Sequence, residues 1–293
     1  IQMGQDIDGE AQHDDFGKSV SLSSDGTRVA IGANENDGSG SNSGHVRVYE
    51  WNSGTSTWTQ MGQDIDGEAA GDQSGYSVSL SSNGTRVAIG AHLNDGGGTY
   101  GGHARIWEWN PGTSTWIQMG QDIDGEAHHD DFGKSVSLSS DGTRVAIGAY
   151  GNYENGSQSG HTRIWEWDSI NSVWIQMGQD LDGEAAGYCC GSSVSLSGDG
   201  TRVAIGEFGY KGQPVIPGSN LVDLVGNATR QKSLKNVNPE GTNTFLTAPR
   251  DVNVPQSWIS NKSYLERMQN VASTPLPLLT TSRTSRTPTS PSP

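Results

Sequence analysis

The stretch Ser19-Val-Ser-Leu-Ser-Ser-Asp-Gly-Thr-Arg-Val-Ala-Ile-Gly-Ala33 decides the fold of this chain. It returns three times, each time 58 residues further along. Ser77–Ala91 has Asn83 in place of Asp25, Ser135–Ala149 is unchanged, and Ser193–Gly206 has Gly198 in place of Ser24 and lacks the final alanine. Repetition at a fixed period of this size is typical of solenoids, propellers and other repeat arrays. The sequence therefore predicts successive copies of one structural unit.

Each copy is centred on a β-hairpin. Two short runs with β-branched residues, Ser19–Ser23 and Thr27–Ile31, flank Asp25-Gly26. Asp-Gly or Asn-Gly between such runs is the strongest local hairpin signal and favours a type I′ turn, with positive φ at both central residues. We therefore predict one tight hairpin in every repeat.

Four strands are predicted in each unit, and in the first unit they are Gln2–Ile7, Phe16–Ser23, Thr27–Ala33 and His45–Trp51. A second hairpin, returning through Trp58–Met61, joins one unit to the next. Four strands in up-and-down order within 40–60 residues indicate a blade of a β-propeller. The predicted fold is an all-β β-propeller of 58-residue, four-stranded antiparallel blades. Three are full blades, at residues 16–65, 74–123 and 132–181, and part-blades lie at either end.

Aromatic residues recur at three fixed offsets. A buried aromatic side chain covers about 150–250 Å², so these columns are predicted to form the core between neighbouring units. The alternative, an exposed platform for sugars, fits identical offsets less well. The columns are Tyr49, Trp107 and Trp165; Trp51, Trp109 and Trp167; and Trp58, Trp116 and Trp174.

Four segments of each unit resemble a known repeat. Phe16-Gly17, Ser19-Val20-Ser21, Val29–Ala33 and Gly44–Tyr49 are similar to the FG-GAP repeat, which builds the seven-bladed propeller of integrin α chains and many microbial and algal surface proteins. The resemblance covers about residues 1–206, in units 1–58, 59–116, 117–174 and a partial 175–206. It implies a propeller module and an extracellular or cell-surface location. An irregular non-repeat region, 207–274, and a Ser/Thr/Pro-rich tail, 275–293, predicted to be disordered, follow.

Whether the blades close into a ring is left open by the sequence. In one alternative, Gln2–Ile7 pairs with the last blade and Leu221–Val225 supplies its third strand, giving a small four-bladed ring. In the other, the chain is an open arc with exposed blade faces. The resemblance favours the arc. Because Ile1 lies inside a repeat, we also expect a fragment of a larger repeat protein.

Charge and composition exclude some partners. The net charge is −15, and residues 1–206 hold 28 Asp and Glu against nine Lys and Arg. Such acidity repels phosphate backbones, so no nucleic-acid partner is expected. No apolar run is long enough to insert directly into a membrane. Cys189 and Cys190 are the only cysteines, so the chain has no disulfide framework.

Acidic triplets are the candidate metal ligands. The resemblance places calcium in the loop between the first two strands, but Ser23–Gly26 carries one carboxylate, and calcium wants six to eight oxygens. A second acidic loop is richer and predicts possible calcium binding; the alternative is a solvated connection whose Asp and Gly set turn geometry. No other cofactor is expected. The candidate ligands are Asp6, Asp8, Glu10, Asp64, Asp66, Glu68, Asp122, Asp124 and Glu126.

The loops at residues 34–43, 92–101 and 150–159 differ most between the units. Variable loops on a constant frame are where binding specificity usually lies, so these loops are predicted to bind a protein or glycan ligand. Candidate catalytic residues recur at equal offsets in every unit, and none forms a unique arrangement, so we predict that the chain is not an enzyme. The alternatives are a carbohydrate-active enzyme on a propeller scaffold and a structural wall or sheath protein. The predicted contact residues are Asn34, Asn36, Asp37, His92, Asn94, Asp95, Tyr100, Tyr150, Asn152 and Tyr153.

Overall fold

The computed structural model describes residues 2–207 and 219–223, and within them every regular element is a β-strand. The strands form four antiparallel sheets, which we call blades 1 to 4. Blade 1 contains β1 (Phe16–Leu22), β2 (Arg28–Ala33), β3 (His45–Asn52), β4 (Thr57–Gln60) and β5 (Ile65–Asp66). Blade 2 contains β6 (Ser77–Leu80), β7 (Arg86–Ala91), β8 (His103–Asn110), β9 (Thr115–Gln118) and β10 (Ile123–Asp124).

The remaining strands complete blades 3 and 4. Blade 3 contains β11 (Phe132–Leu138), β12 (Arg144–Ala149), β13 (His161–Asp168), β14 (Val173–Gln176) and β15 (Leu181–Asp182). Blade 4 contains β16 (Ser193–Leu196), β17 (Arg202–Gly206) and β18 (Ser219–Asp223). The three predicted full blades are confirmed. The described residues include no helix with the length and apolar character needed to span a membrane.

The fourth strand of each full blade is split in two. In blade 1, β4 pairs with the end of β3 and β5 pairs with its start. The break falls around Gly62, which has a φ of +72° that disfavours residues with a side chain. The predicted first strand, Gln2–Ile7, does not form. Its counterparts in later units pair with the third strand of the preceding sheet, and among the described residues no such strand lies beside Gln2–Ile7.

The central hairpin is confirmed, but the predicted turn type is wrong. β1 ends at Leu22, β2 begins at Arg28, and the Gly26 amide donates to the Ser23 carbonyl at 2.9 Å. Only Gly26 has positive φ, whereas a type I′ turn needs it at Asp25 too. The Asp25 carboxylate instead accepts hydrogen bonds from Ser23 and Thr27, the first and last residues of the wider five-residue connection.

Neighbouring blades pack through indoles, as the aromatic columns predict. Trp116 of blade 2 is 2% exposed and lies in one cluster with Val46 and Ile65 of blade 1. Its Nε1 donates to the Met61 carbonyl at 2.8 Å. Trp174 repeats this arrangement between blades 2 and 3. Trp116 and Trp174 therefore join blade 2 to blade 1 and blade 3 to blade 2.

The arrangement is an open arc. Val20 and Leu22 on blade 1 are 65% and 59% exposed, whereas their counterparts Val136 and Leu138 on blade 3 are 8% and 7% exposed. Blade 1 therefore leaves one apolar face uncovered. Among the described strands, blade 1 packs on blade 2 but not on blade 4, so the closed-ring alternative is wrong.

Blade 4 is only partly within the described residues. Its third strand, Ser219–Asp223, pairs with β17 close to the predicted Leu221–Val225. The predicted tail, 275–293, and most of the predicted non-repeat region lie outside the described residues.

Candidate functional site

A histidine and an arginine open the third strand of every full blade. In blade 1 they are His45 and Arg47, which lie two residues apart and so share one face of the strand. Both are buried, as are His103 and Arg105 in blade 2. Burial, and to a smaller extent the adjacent guanidinium of Arg105, lower the pKa of His103 to about 4. The imidazole of His103 is therefore neutral near pH 7.

The acidic triplets supply the partners of these arginines. Arg47 forms ion pairs with Glu10 and with Asp64, the latter at 3.2 Å between Nε and Oδ1. In blade 2, Arg105 pairs with Glu68 at 3.2 Å, and its Nη2 donates to the Asp66 carbonyl at 2.8 Å. Since Asp64 and Glu68 belong to one connection, that connection is held by arginines of two successive blades.

This geometry divides each predicted calcium triplet. In the second triplet, Asp64 accepts a hydrogen bond from Gln60, four residues before it. Glu68 instead forms an ion pair with Arg105 of the next blade. Asp6 accepts from Gln2, Asp122 accepts from Gln118, and Glu126 pairs with Arg163. Asp8, Asp66 and Asp124 in the middle positions are exposed. Calcium binding by these triplets stays a prediction, which isothermal titration tests.

The hairpin loop does not fit calcium. Asp25 Oδ1 accepts hydrogen bonds from the Ser23 hydroxyl at 2.7 Å and from the Thr27 amide at 2.9 Å. The Ser23 hydroxyl and Thr27 together lower the pKa of Asp25 to about 2. Because the loop offers one carboxylate, already engaged, it lacks the several anionic oxygens that a calcium site needs.

An asparagine anchors each variable loop. The Nδ2 of Asn94 donates to Asp72 Oδ2 at 3.0 Å, and its Oδ1 accepts from the Gly96 amide at 2.7 Å. Asn36 with Asp14, and Asn152 with Asp130, repeat this buried pair. The predicted contact residues therefore separate into two groups. Asn34, Asn36, His92, Asn94 and Asn152 are buried, Tyr150 is half-buried, and Asp37, Asp95, Tyr100 and Tyr153 are exposed.

An acidic cleft of about 540 Å³ opens beside blade 2. Its walls are the connection 68–72 on one side and the variable loop 93–100 on the other. Glu68, Asp95, Asp122 and Asp124 contribute carboxylates, and the exposed Tyr100 lies at the rim. Burial, together with neighbouring carboxylates, raises the pKa of Asp124. In this cleft, repeated carboxylates and unit-specific loop residues line the same cavity.

A lysine–tyrosine group on the first strands was missed from the sequence. Lys18, Tyr76 and Lys134 occupy the same position in three successive units. Lys134 Nζ lies 3.9 Å from the centre of the Tyr76 ring, and that ring contacts His92 at 4.1 Å. Burial and the two lysines lower the pKa of His92 to about 3. A comparison of the units at this position was the signal available in the sequence.

The sequence model of the FG-GAP repeat matches residues 7–49 and 123–162. The chain carries FG-GAP repeats. The two matches fall on the first three strands of blade 1 and on the corresponding part of blade 3, so these FG-GAP repeats are the blades seen in the structure. No curated protein sequence matches the chain.

Solved structures show distant similarity to this chain. Hydrazine synthase of Kuenenia stuttgartiensis is 12% identical, with a TM-score of 0.47, over 79% of this chain and 53% of that one. A putative 6-phosphogluconolactonase from Bacteroides uniformis ATCC 8492 is 11% identical, with a TM-score of 0.45, over 83% and 76%. The C-terminal WD40 domain of Sif2 is 14% identical, with a TM-score of 0.40, over 71% and 46%. The chain thus spans about half of the hydrazine synthase chain.

Proposed function

We propose that the chain is a non-enzymatic β-propeller module at the cell surface or outside the cell, which binds a protein ligand through the acidic cleft of blade 2. One observation carries the proposal: the cleft combines repeated acidic side chains with Tyr100 and Asp95 from a loop that differs between units. A rigid frame presenting a unit-specific loop is the usual design of a binding site.

The charge of the cleft favours a basic segment of a partner protein. Burial raises the pKa of Glu68, and the carboxylates of Asp122 and Asp72 raise it further, against the effect of Arg105. A ligand ammonium or guanidinium group would relieve this repulsion and form charge-assisted hydrogen bonds. Complementary charge also speeds association and discriminates between partners.

A glycan is the second candidate ligand. Tyr100 and Tyr153 are 45% and 49% exposed, and both belong to variable loops. An exposed aromatic ring offers a flat apolar surface to a sugar ring, while carboxylates accept hydrogen bonds from its hydroxyl groups. This alternative keeps the same loops as the binding surface.

Protein and glycan arrays probed with the purified chain test the proposal. We expect binding that weakens at least tenfold in Tyr100→Asn, which introduces the residue that blade 1 has at this position. Ile117→Thr, also a blade 1 residue and 49% exposed in blade 2, is the matched control and should bind normally.

Two results would contradict the proposal. Binding that survives both Tyr100→Asn and Glu68→Gln would place the ligand elsewhere on the chain. Cleavage of a polysaccharide by the purified chain would favour the carbohydrate-active enzyme instead. A chain that binds nothing on either array and cleaves nothing would favour the structural wall or sheath protein.

A further inference from the structure

Residue 154 is one of the loop positions at which blade 3 departs from the other two full blades. Glu154 stands where blades 1 and 2 have Gly38 and Gly96. A Cβ added at Gly96 would lie 2.8 Å from Asp124 Oδ1, so a side chain at this position is directed toward the middle aspartate of the following connection. In blade 3 that aspartate is Asp182. The substitution therefore brings a further carboxylate to a place that is already acidic.

Four potential ligands converge in blade 3. Ligand atoms of Glu154, His161, Asp180 and Asp182 all lie within 4.8 Å of one another. The matching groups of blades 1 and 2 have three members, and their glutamate is the one that pairs with the blade's arginine. In blade 3, Arg163 already pairs with a different glutamate, so Glu154 is additional.

His161 is the second and independent observation. Its side chain is 0% exposed, and neither ring nitrogen has a hydrogen-bond partner. Its Nδ1 lies 3.8 Å from Asp180 Oδ2, and Asp182 Oδ1 is also buried without a partner. Leaving a buried polar atom unpartnered is unfavourable. Of the two ring nitrogens of His45, the equivalent histidine in blade 1, only Nε2 is unpartnered. A cation bound between His161 and Asp182 would give a partner to one ring nitrogen of His161 and to Asp182 Oδ1.

We propose that blade 3 holds a divalent transition-metal ion, of which Zn²⁺ is the type, bound by one nitrogen of His161 and by carboxylate oxygens of Glu154, Asp180 and Asp182. One imidazole and three carboxylates offer four ligands of types that Zn²⁺ accepts, enough for tetrahedral coordination. The imidazole distinguishes the site from one for calcium or magnesium, which take oxygen ligands.

The surroundings are arranged to position these ligands. Gln176 donates to Asp180 Oδ1 at 2.6 Å, and Arg163 Nε donates to Asp180 Oδ2 at 3.1 Å. Outer-shell hydrogen bonds of this kind orient metal-binding carboxylates. Bound metal would tie the variable loop through Glu154 to the third strand and to the connection that leaves blade 3. Bound metal would therefore give the loop a second attachment, besides the Asn152–Asp130 hydrogen bond.

Isothermal titration of the chelator-treated full chain with ZnCl₂ tests the proposal. We expect one equivalent of Zn²⁺ to bind and to raise the melting temperature. Glu154→Gly, which restores the residue of blades 1 and 2, should weaken binding by more than about a hundredfold, beyond the usual cost of losing an outer-shell partner. His161→Asn should do the same. The matched control is His129→Gln, which changes an exposed histidine and should leave binding unaltered.

A gain of function separates a built site from surface binding. Gly96→Glu recreates the blade 3 pattern in blade 2 and should raise the stoichiometry to two. Circular dichroism of each variant without metal checks that the sheets still form. The proposal is overturned if the wild-type chain binds no Zn²⁺. It is equally overturned if folded Glu154→Gly and His161→Asn bind like the wild type, or if Ca²⁺ competes with Zn²⁺ at equal concentration.

Discussion

Replacing Trp116 by alanine should separate blade 1 from blade 2. The indole is almost fully buried, and a buried tryptophan of about 200 Å² at about 25 cal/mol per Å² corresponds to about 5 kcal/mol. Measured Trp→Ala substitutions in cores cost about 3–5 kcal/mol. The Met61 carbonyl also loses its 2.8 Å donor, which adds about 1 kcal/mol. We therefore expect a loss of about 4–6 kcal/mol in the free energy of unfolding.

Trp58 is the matched control for this experiment. It holds the same position in blade 1, and its Nε1 donates to the Met3 carbonyl at 3.1 Å. It is only partly buried, because no described sheet packs against this side of blade 1. Trp58→Ala should therefore cost about half as much. Trp116→Phe keeps most of the apolar area but loses the hydrogen bond, so it should fall between the wild type and Trp116→Ala.

Urea unfolding followed by far-UV circular dichroism measures these differences. Because repeat arrays are held by contacts between neighbours, loss of one interface can split the transition in two. A split transition in Trp116→Ala alone would agree with our reasoning. Equal shifts of the urea midpoint for Trp58→Ala and Trp116→Ala would refute it, since they would show that stacking between blades adds nothing to the indole's contribution.

Three further predictions concern packing and pH. The fold lowers the pKa of His92 from 6.5 to about 3, so the unfolded chain takes up the proton at a higher pH than the folded chain does. Stability should therefore fall as pH drops from 6.5 towards 3, and His92→Asn should flatten that part of a plot of melting temperature against pH. Gly90→Ala should destabilise by more than about 3 kcal/mol, because a Cβ would overlap the Gly133 carbonyl of the next blade; soluble, normally melting protein would contradict this. Asn94→Ala should cost about 1–3 kcal/mol in thermal unfolding, since Asp72 loses its buried amide donor, and an unchanged melting temperature would refute that role.

The repeat and its hairpin are the part of the fold that local sequence determines. Asp25-Gly26 between β-branched runs specifies a hairpin, and the 58-residue period specifies copies of it. The turn type was wrong because side-chain hydrogen bonds from Ser23 and Thr27 compete with the local preference of the dipeptide. The split fourth strand was missed because Gly62 looks like an ordinary strand residue until its φ is known.

The candidate sites depend on contacts that sequence spacing does not reveal. Nothing in the order of residues indicates that Asp64 and Glu68, four apart, serve arginines of different blades. The buried role of the loop asparagines did leave a signal, since an asparagine occupies the position of Asn94 in all three full units while the residues around it change. Glu154 left one too, because it replaces a glycine that the other two full units share.

Chemical cross-linking between hairpin tips tests the stacking of successive blades most directly. The Ser82 amide donates to the Ser140 carbonyl at 2.8 Å, and the Ser24 amide donates to the Ser82 carbonyl at 2.9 Å, so the tips of adjacent blades touch. Ser82→Cys with Ser140→Cys should be joined in high yield by a short bifunctional thiol reagent, as seen by mass spectrometry. Ser24→Cys with Ser140→Cys, two blades apart, should remain unlinked. Equal yields for the two pairs, or no link in either, would contradict the stacked arrangement.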